Sequence, residues 1–485
     1  MNHQKSQALD AIDRNRELLC RVSDQLWEHP EVGFHEKYAA ELYCDTLEAL
    51  GFQVERNLAG IPTAFSGTYG NDGPVIGFLG EVDALPGLSQ VEAALEKIPA
   101  QESAPGHGCG HNLLGVGSLA AAVAVKQYLQ DNHLPGTVVF FGCPAEEGGS
   151  GKGFMARSGV FQQVDIAFSW HPGEVNSVST EGTMSNYQIC YHFRGVSAHA
   201  AMSPEQGRSA LDALELMNIG VQFLREHVPT DTRIHYAITD TGGSAPGTVQ
   251  PYAQAVYLLR AVHPQQLIDL YDRVNKIARG AAMMTDTTVE IEFIKACSNV
   301  VINTELNRLM QKNLEQVPPA GFDEADLEQA RRYQQTFPKG KTYYGSLVDE
   351  VEDPQMREEL QARADEPIHR VVMPLARERQ GFVSSDVGDV SWNCPVAQIN
   401  AATMPAGVPM HSWQMVAVGK TPMAKKGMLY AAKVMAASAI DALEDPEIIR
   451  RAKEELLRRT GGKTYQPPIP AEIQPKIPRD LFQTP

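Results

Sequence analysis

The stretch PVIGFLGEVDALPGL, residues 74–88, decides the fold. Its apolar run starts at Val75, carries Glu81 near its end and stops at Asp83 and a Pro-Gly turn. A short apolar run bounded by turn residues reads as a strand buried on both faces, and such strands belong to parallel sheets covered by helices. Glu81 and Asp83 then stand at the C-terminal end of a strand, where open α/β sheets build their sites. The pattern recurs at 137–143 and 165–170, with helical stretches such as 112–130 between.

Towards the N-terminus, Ile12, Leu18, Leu19, Val22 and Leu26 recur at helical spacing, and residues 12–50 read as two helices closed by Gly51. Towards the C-terminus the order changes to strand 186–194, helix 207–227, strand 232–239, strand 252–262, helix 264–280 and strand 287–294. That β-α-β-β-α-β order is the ferredoxin-like plan, and it reads as a domain inserted into an α/β chain. Residues 320–380 are polar with short apolar clusters and are expected to form a helical excursion on the surface. The tail from Gly461, with QPPIPAEIQPKIP, is Pro-rich and reads as an extended surface segment.

Composition excludes several classes. A chain of 485 residues with 43% hydrophobic and 21% charged residues is globular and long enough for two cores. A formal net charge of −17 disfavours nucleic acid and anionic membrane surfaces. The most apolar helical stretch, 113–129, is interrupted by glycines, Ser118 and Lys126, so no membrane span is expected. The start MNHQKSQALDAIDRNRELL lacks the apolar run of a secretory signal, so a cytoplasmic location is expected. Seven scattered cysteines do not read as a disulfide framework, and the absence of any CxxC pair argues against a structural zinc protein.

Chemistry concentrates at the strand ends. HGCGHNLLG (107–115) puts Cys109 and His111 one residue apart between glycines that let backbone approach a ligand. GCPAEEGGSGKG (142–153) sets Glu146 beside Glu147, and adjacent carboxylates at a strand end call for a cation, one binding metal and the other moving protons. A phosphate-loop reading of that run fails, because Glu146 stands where the first Gly is needed and Gly153 where Ser or Thr is needed. FSWHPG (168–173) and GVPMHSW (407–413) add His171 and His411. Each residue alone has a structural explanation, but together they supply about what two divalent ions need, one ligand bridging. In the inserted domain His199 falls in a strand-to-helix loop, a functional position or a loop cap. Arg260 interrupts an apolar strand, as a snorkelling edge residue or a carboxylate clamp.

With GEVDALPGLSQ, HGCGHNLLG, GCPAEEGGSGK, HYAITDTGG, VGDVSW and HSWQ in this order, the chain resembles, over nearly its full length, the metal-dependent aminoacylase and carboxypeptidase family. That family includes bacterial glutamate carboxypeptidase and the plant auxin-conjugate hydrolases. The resemblance implies a mixed-sheet, zinc-peptidase-like catalytic domain from residues 1–185 and 297–485. Residues 186–296 would form a ferredoxin-like lid through which two copies dimerise, and a second type of subunit stays open. Carried over by motif, Cys109, His111, Glu147, His171 and His411 bind two divalent ions, Mn²⁺ or Zn²⁺. Glu146 is the general base, Asp83 orients a ligand, and His199 reaches the scissile carbonyl in the neighbouring subunit. Arg260 holds the substrate carboxylate by analogy with lid arginines. The implied reaction is hydrolysis of an N-acyl amino acid, with p-aminobenzoyl-glutamate expected first and dipeptides or other acyl amino acids as the alternative. A non-catalytic relative should have lost a ligand or the base, and here the whole set survives. Glu81 and Asn112 depart from the residues many relatives carry at these positions, and no Asn stands near Gly247, where many relatives place one.

Overall fold

The computed structural model describes residues 2–340 and 342–478; the end of the segment expected to reach residue 485 lies outside the described residues. The strands of the larger sheet are β1 (Gln53–Arg56), β2 (Phe65–Tyr69), β3 (Val75–Glu81), β4 (Thr137–Cys143), β5 (Ile166–Gly173) and the two-residue β6 (Ser177–Val178). After a short β7 (Glu181–Gly182) come β8 (Ser185–Arg194), β9 (Arg233–Asp240), β10 (Tyr252–Ala261) and β11 (Thr288–Cys297). The short β12 (Arg379–Gln380) pairs with β7, and β13 (Val396–Ala402) returns to the larger sheet.

That sheet runs β1-β2-β4-β3-β5-β13-β6. Its centre, β4-β3-β5-β13, is parallel, and its outer pairs are antiparallel. Because the chain leaves β3 for β4 on one side and then crosses to β5 on the other, the strand order reverses beside β3, which opens a crevice at its C-terminal end. Every residue of β4 is buried, as the unbroken apolar run demands. The helix His111–Asn132 is apolar almost all round and lies buried against the sheet and the neighbouring helix Pro422–Glu444. A Cβ on Gly117 would stand 2.6 Å from Trp170 Nε1, so the close approach of this helix to β5 requires a glycine there, and Trp170 Nε1 donates to Leu114 O at 2.8 Å.

The smaller sheet is antiparallel with order β11-β8-β10-β9, the ferredoxin-like arrangement. Helices Ala210–Leu224 and Pro264–Met284 pack against one face of it, where Ile189, Tyr191 and Phe193 alternate inward.

Three local expectations change. A further helix, His3–Arg14, precedes the two at Arg16–Glu28 and Lys37–Ala49; it parts from its neighbour at Asn15, whose Nδ2 donates back to Ala11 O. Residues 320–380 are helical only to Gln361, and they bury Tyr344, Leu347, Val348, Leu360 and Met373 in a core of their own rather than lying loosely on the surface. The Pro-rich tail forms no helix or strand over 464–478, as expected. Yet it is anchored: Ile469 is buried, and Arg157 Nη1 donates to the carbonyls of Pro470 and Ile473 at 2.6 and 2.8 Å.

Candidate metal centre

Five segments of the chain deliver side chains to the crevice. Asp83 follows β3, Cys109 and His111 stand at the start of the buried helix, Glu146 and Glu147 follow β4, His171 lies on β5, and His411 lies in the turn after β13. Gly110, at φ +77°, caps the helix and meets Pro172 and Met415, so the chain turns there where a Cβ would clash. Ala145 and His411 both adopt φ +55°, a left-handed conformation costly for non-glycine residues and concentrated at functional sites. His411 N donates to Gly108 O at 3.0 Å, tying two loops together that are far apart in sequence.

The donor atoms fall into two sets that share one sulfur. Cys109, His111 and His171 have ligand atoms within 4.8 Å of one another, and so do Cys109, Glu147 and His411. Cys109 Sγ lies 3.3 Å from His171 Nε2, and Glu147 Oε1 lies 3.4 Å from His411 Nε2. Asp83 fixes the frame: its Oδ1 is 3.1 Å and its carbonyl oxygen 3.0 Å from His111 Nδ1, and its Oδ2 accepts from Glu147 N at 3.0 Å. With Nδ1 donating to Asp83, His111 turns Nε2 into the centre. Glu146 lies beside these sets, its carboxylate within 4.8 Å of Glu81 and His111.

Comparison with known proteins then settles the family. The peptidase family M20/M25/M40 matches residues 77–353. The chain belongs to this family. One of the subunits of p-aminobenzoyl-glutamate hydrolase of Escherichia coli is 42% identical over 468 residues, covering 96% of this chain and 97% of that protein. A Xaa-Arg dipeptidase of Mus musculus is 31% identical over 301 residues, covering 59% of this chain and 65% of that protein. A dinuclear metal-binding peptidase of the M20 family from Bacillus subtilis shares the fold, with a TM-score of 0.55 at 15% identity over 89% of this chain and 99% of that one. The expected hydrolase with a mixed-sheet α/β fold therefore stands.

The residues of this M20-family centre suit metal ions. His111 Nε2 and Glu147 Oε1 are buried and make no hydrogen bond, although both point into the centre. Burial pushes the Cys109 thiol up to about 12, so a thiolate there needs cations beside it. Burial, with the neighbouring Glu81 and Asp386 carboxylates, pushes Glu146 up to about 8. A carboxyl with so strong a hold on a proton is suited to taking one up and handing it on.

Lys152 escaped the sequence reading, which met it only in the rejected phosphate loop. It is wholly buried, and its Nζ lies 2.7 Å from Glu81 Oε1 and 2.6 Å from Asp386 Oδ1. Although burial disfavours its charge, Asp386 and Glu81 hold Lys152 well above the ordinary lysine range. Glu81 places one oxygen on Lys152 and sets the other 3.2 Å from His111 Nε2. The signal available was a lone lysine in a glycine turn after two glutamates, but its partner Asp386 is 234 residues away. Asn112 donates to Ser23 Oγ and Gly419 O and so ties the helix start to neighbouring segments.

Two predicted residues stand outside the cluster. His199 is exposed in its loop, where its Nδ1 accepts from the backbone N–H groups of Ala201 and Met202. Arg260 Nη1 donates to Phe382 O at 3.1 Å and Ser384 Oγ at 3.3 Å, while its buried Nε makes no hydrogen bond. A cavity of about 490 Å³ adjoins Glu147, walled by Val32, Phe34, Leu85, Phe154 and Ile294, with Lys476 of the tail at its edge.

Proposed function

We propose that the chain hydrolyses the amide bond of an N-acyl amino acid, with p-aminobenzoyl-glutamate, cleaved to p-aminobenzoate and glutamate, as its first substrate. The observation that carries this reading is the pair of donor sets sharing Cys109, with the Glu146 carboxylate beside them, near Glu81 and His111. The substrate choice rests on the 42% identity to the E. coli hydrolase, and the apolar cavity beside Glu147 suits an aromatic acyl group.

In this reading Cys109, His111 and His171 hold one divalent ion, Mn²⁺ or Zn²⁺, and Cys109, Glu147 and His411 hold another. Such ions lower the pKa of water towards neutrality and polarise an amide carbonyl. Glu146 accepts the proton of the attacking water and returns it to the departing amine nitrogen as the C–N bond breaks. Asp83 keeps His111 in the tautomer that leaves Nε2 unprotonated. Arg260 receives the substrate carboxylate. His199 of the partner subunit donates to the oxyanion, a contribution of about 3 kcal/mol for one such donor.

The assembly belongs to the same proposal: residues 1–185 and 297–485 form the catalytic domain, and residues 186–296 form a lid that pairs with a second copy. The lid's β9 supports it, as an edge strand with Tyr236 and Ile238 exposed at 40% and 42%. Pairing with a different type of chain stays compatible, since the E. coli hydrolase has subunits of two kinds and this chain is similar to both, at 42% and 26% identity. All seven cysteines are free, which fits a reducing cytoplasm. Among the described residues no helix is long and apolar enough to cross a membrane.

The decisive experiment strips the protein of metal and resupplies Mn²⁺ or Zn²⁺ separately, measuring glutamate released from p-aminobenzoyl-glutamate for wild type and Glu146→Gln. Metal should restore turnover, and Glu146→Gln should keep its metal while losing at least about a hundredfold in rate. A fully active Glu146→Gln protein refutes the base assignment. Turnover of dipeptides in preference to p-aminobenzoyl-glutamate would favour the second reading, a dipeptidase, to which the 31% identity with the mouse dipeptidase lends support.

A further inference from the structure

We propose that Cys190, His192 and Glu292 form a separate metal site, for a thiophilic divalent ion such as Zn²⁺, on the face of the four-stranded sheet opposite its two helices, with the Cys190 thiol buried. None of the three belongs to the centre described above, and the site does not depend on the proposed reaction. Cys190 and His192 are two apart on β8 and so share a face, the one opposite Ile189, Tyr191 and Phe193. Glu292 stands directly across from Cys190 on β11. The sulfur, a ring nitrogen and a carboxylate oxygen lie within 4.8 Å of one another.

The hydrogen bonds around the imidazole determine which nitrogen is available. Tyr252 OH donates to Gln254 Oε1 at 2.7 Å, so towards His192 Nδ1, 2.8 Å away, it acts as acceptor. His192 therefore carries its proton on Nδ1 and presents the Nε2 lone pair to Glu292 Oε2 at 2.9 Å. Two acceptors at that separation need a cation or a proton between them. The adjacent thiol favours a metal, because sulfur, imidazole and carboxylate together are a zinc donor set. The surroundings also match such a site. A ligating imidazole gives its other N–H to an outer partner, here Tyr252. A ligating carboxylate is hydrogen-bonded on its free oxygen, here Glu292 Oε1 by Lys476 of the tail. The His192 and Glu292 side chains are 17% and 38% exposed, which leaves an entry path and room for water as a further ligand.

The test uses full-length protein, stripped with chelator and re-equilibrated with Zn²⁺ alone. Metal per chain is counted for wild type, Cys190→Ser and His192→Asn. Each variant should carry one Zn²⁺ fewer than wild type and keep its hydrolytic turnover. Equal metal content in all three overturns the proposal and leaves the cluster as an imidazolium–carboxylate pair. Should Cys190→Ser fail to fold, Co²⁺ loading of His192→Asn replaces it. The cobalt absorption of this variant should fall below that of wild type while the part owed to Cys109 persists, and an unchanged spectrum again overturns the site.

Discussion

Replacing Lys152 with Met should cost metal-stripped protein about 3–5 kcal/mol of stability, the range seen when one member of a buried ion pair is removed. The magnitude follows from the position. Nζ is wholly buried and lies 2.7 Å from Glu81 Oε1 and 2.6 Å from Asp386 Oδ1, so its loss strands two carboxylates in a region closed to water. Methionine fills nearly the same volume, so the change isolates charge from packing. Neutralising one stranded partner should undo part of the damage, and the double variant Lys152→Met with Asp386→Asn should recover at least about 1 kcal/mol. The loss should also shrink in acid. A stranded, buried carboxylate has a folded-state pKa above its unfolded value, so its protonation at low pH favours the folded chain, and the stability this provides disappears as pH rises. Urea unfolding of the four combinations at pH 5 and pH 8, without metal, measures all of this. A single variant that loses less than about 1 kcal/mol at pH 8, or a double variant no better than the single, would refute the claim that Lys152 holds this charge cluster together.

His369 offers a second pH test: it stacks on Tyr344 with ring centroids 3.7 Å apart, neither ring nitrogen finds a hydrogen bond, and burial pushes it down to about 4. A depressed histidine leaves the unfolded chain alone to gain the proton between about pH 6.5 and 4, so stability should fall by roughly 2 kcal/mol from pH 7 to pH 5. His369→Phe should remove that component of the urea-unfolding profile, and an unchanged profile would contradict it. Arg260→Ala should raise KM for an anionic acyl amino acid about tenfold with kcat little changed, as befits a lost charged hydrogen bond. An unaltered KM would leave Arg260 with only its contacts to Phe382 and Ser384.

The legible parts of this protein were those written locally. Runs such as Val75–Glu81 and Thr137–Cys143 announced parallel strands because burial on both faces removes polar alternation. The lid's strands alternate, and its order of elements could be read from breakers alone. The donor residues were visible because strand ends and glycine turns are where chemistry is built, and the donors sit within a few residues of such ends. The N-terminal helix was blurred by Asn15, whose break is a hydrogen-bonding event rather than a Gly or Pro. The small core under Tyr344 was missed because its apolar residues are too sparse along 320–380 to reveal a period.

The sequence by itself therefore determined the parallel centre of the α/β sheet, the inserted ferredoxin-like unit, and the candidate donors Cys109, His111, Glu146, Glu147, His171 and His411. Tertiary structure alone decided who shares what. Cys109 meets His171 across 62 residues and stands common to both donor sets, Lys152 finds Asp386 across 234, and Cys190 faces Glu292 across two strands. The reason is physical. Periodicity and turn chemistry act between residues a few positions apart and leave their mark on the chain. Strand order and register bring together residues whose separation in sequence carries no trace of the contact.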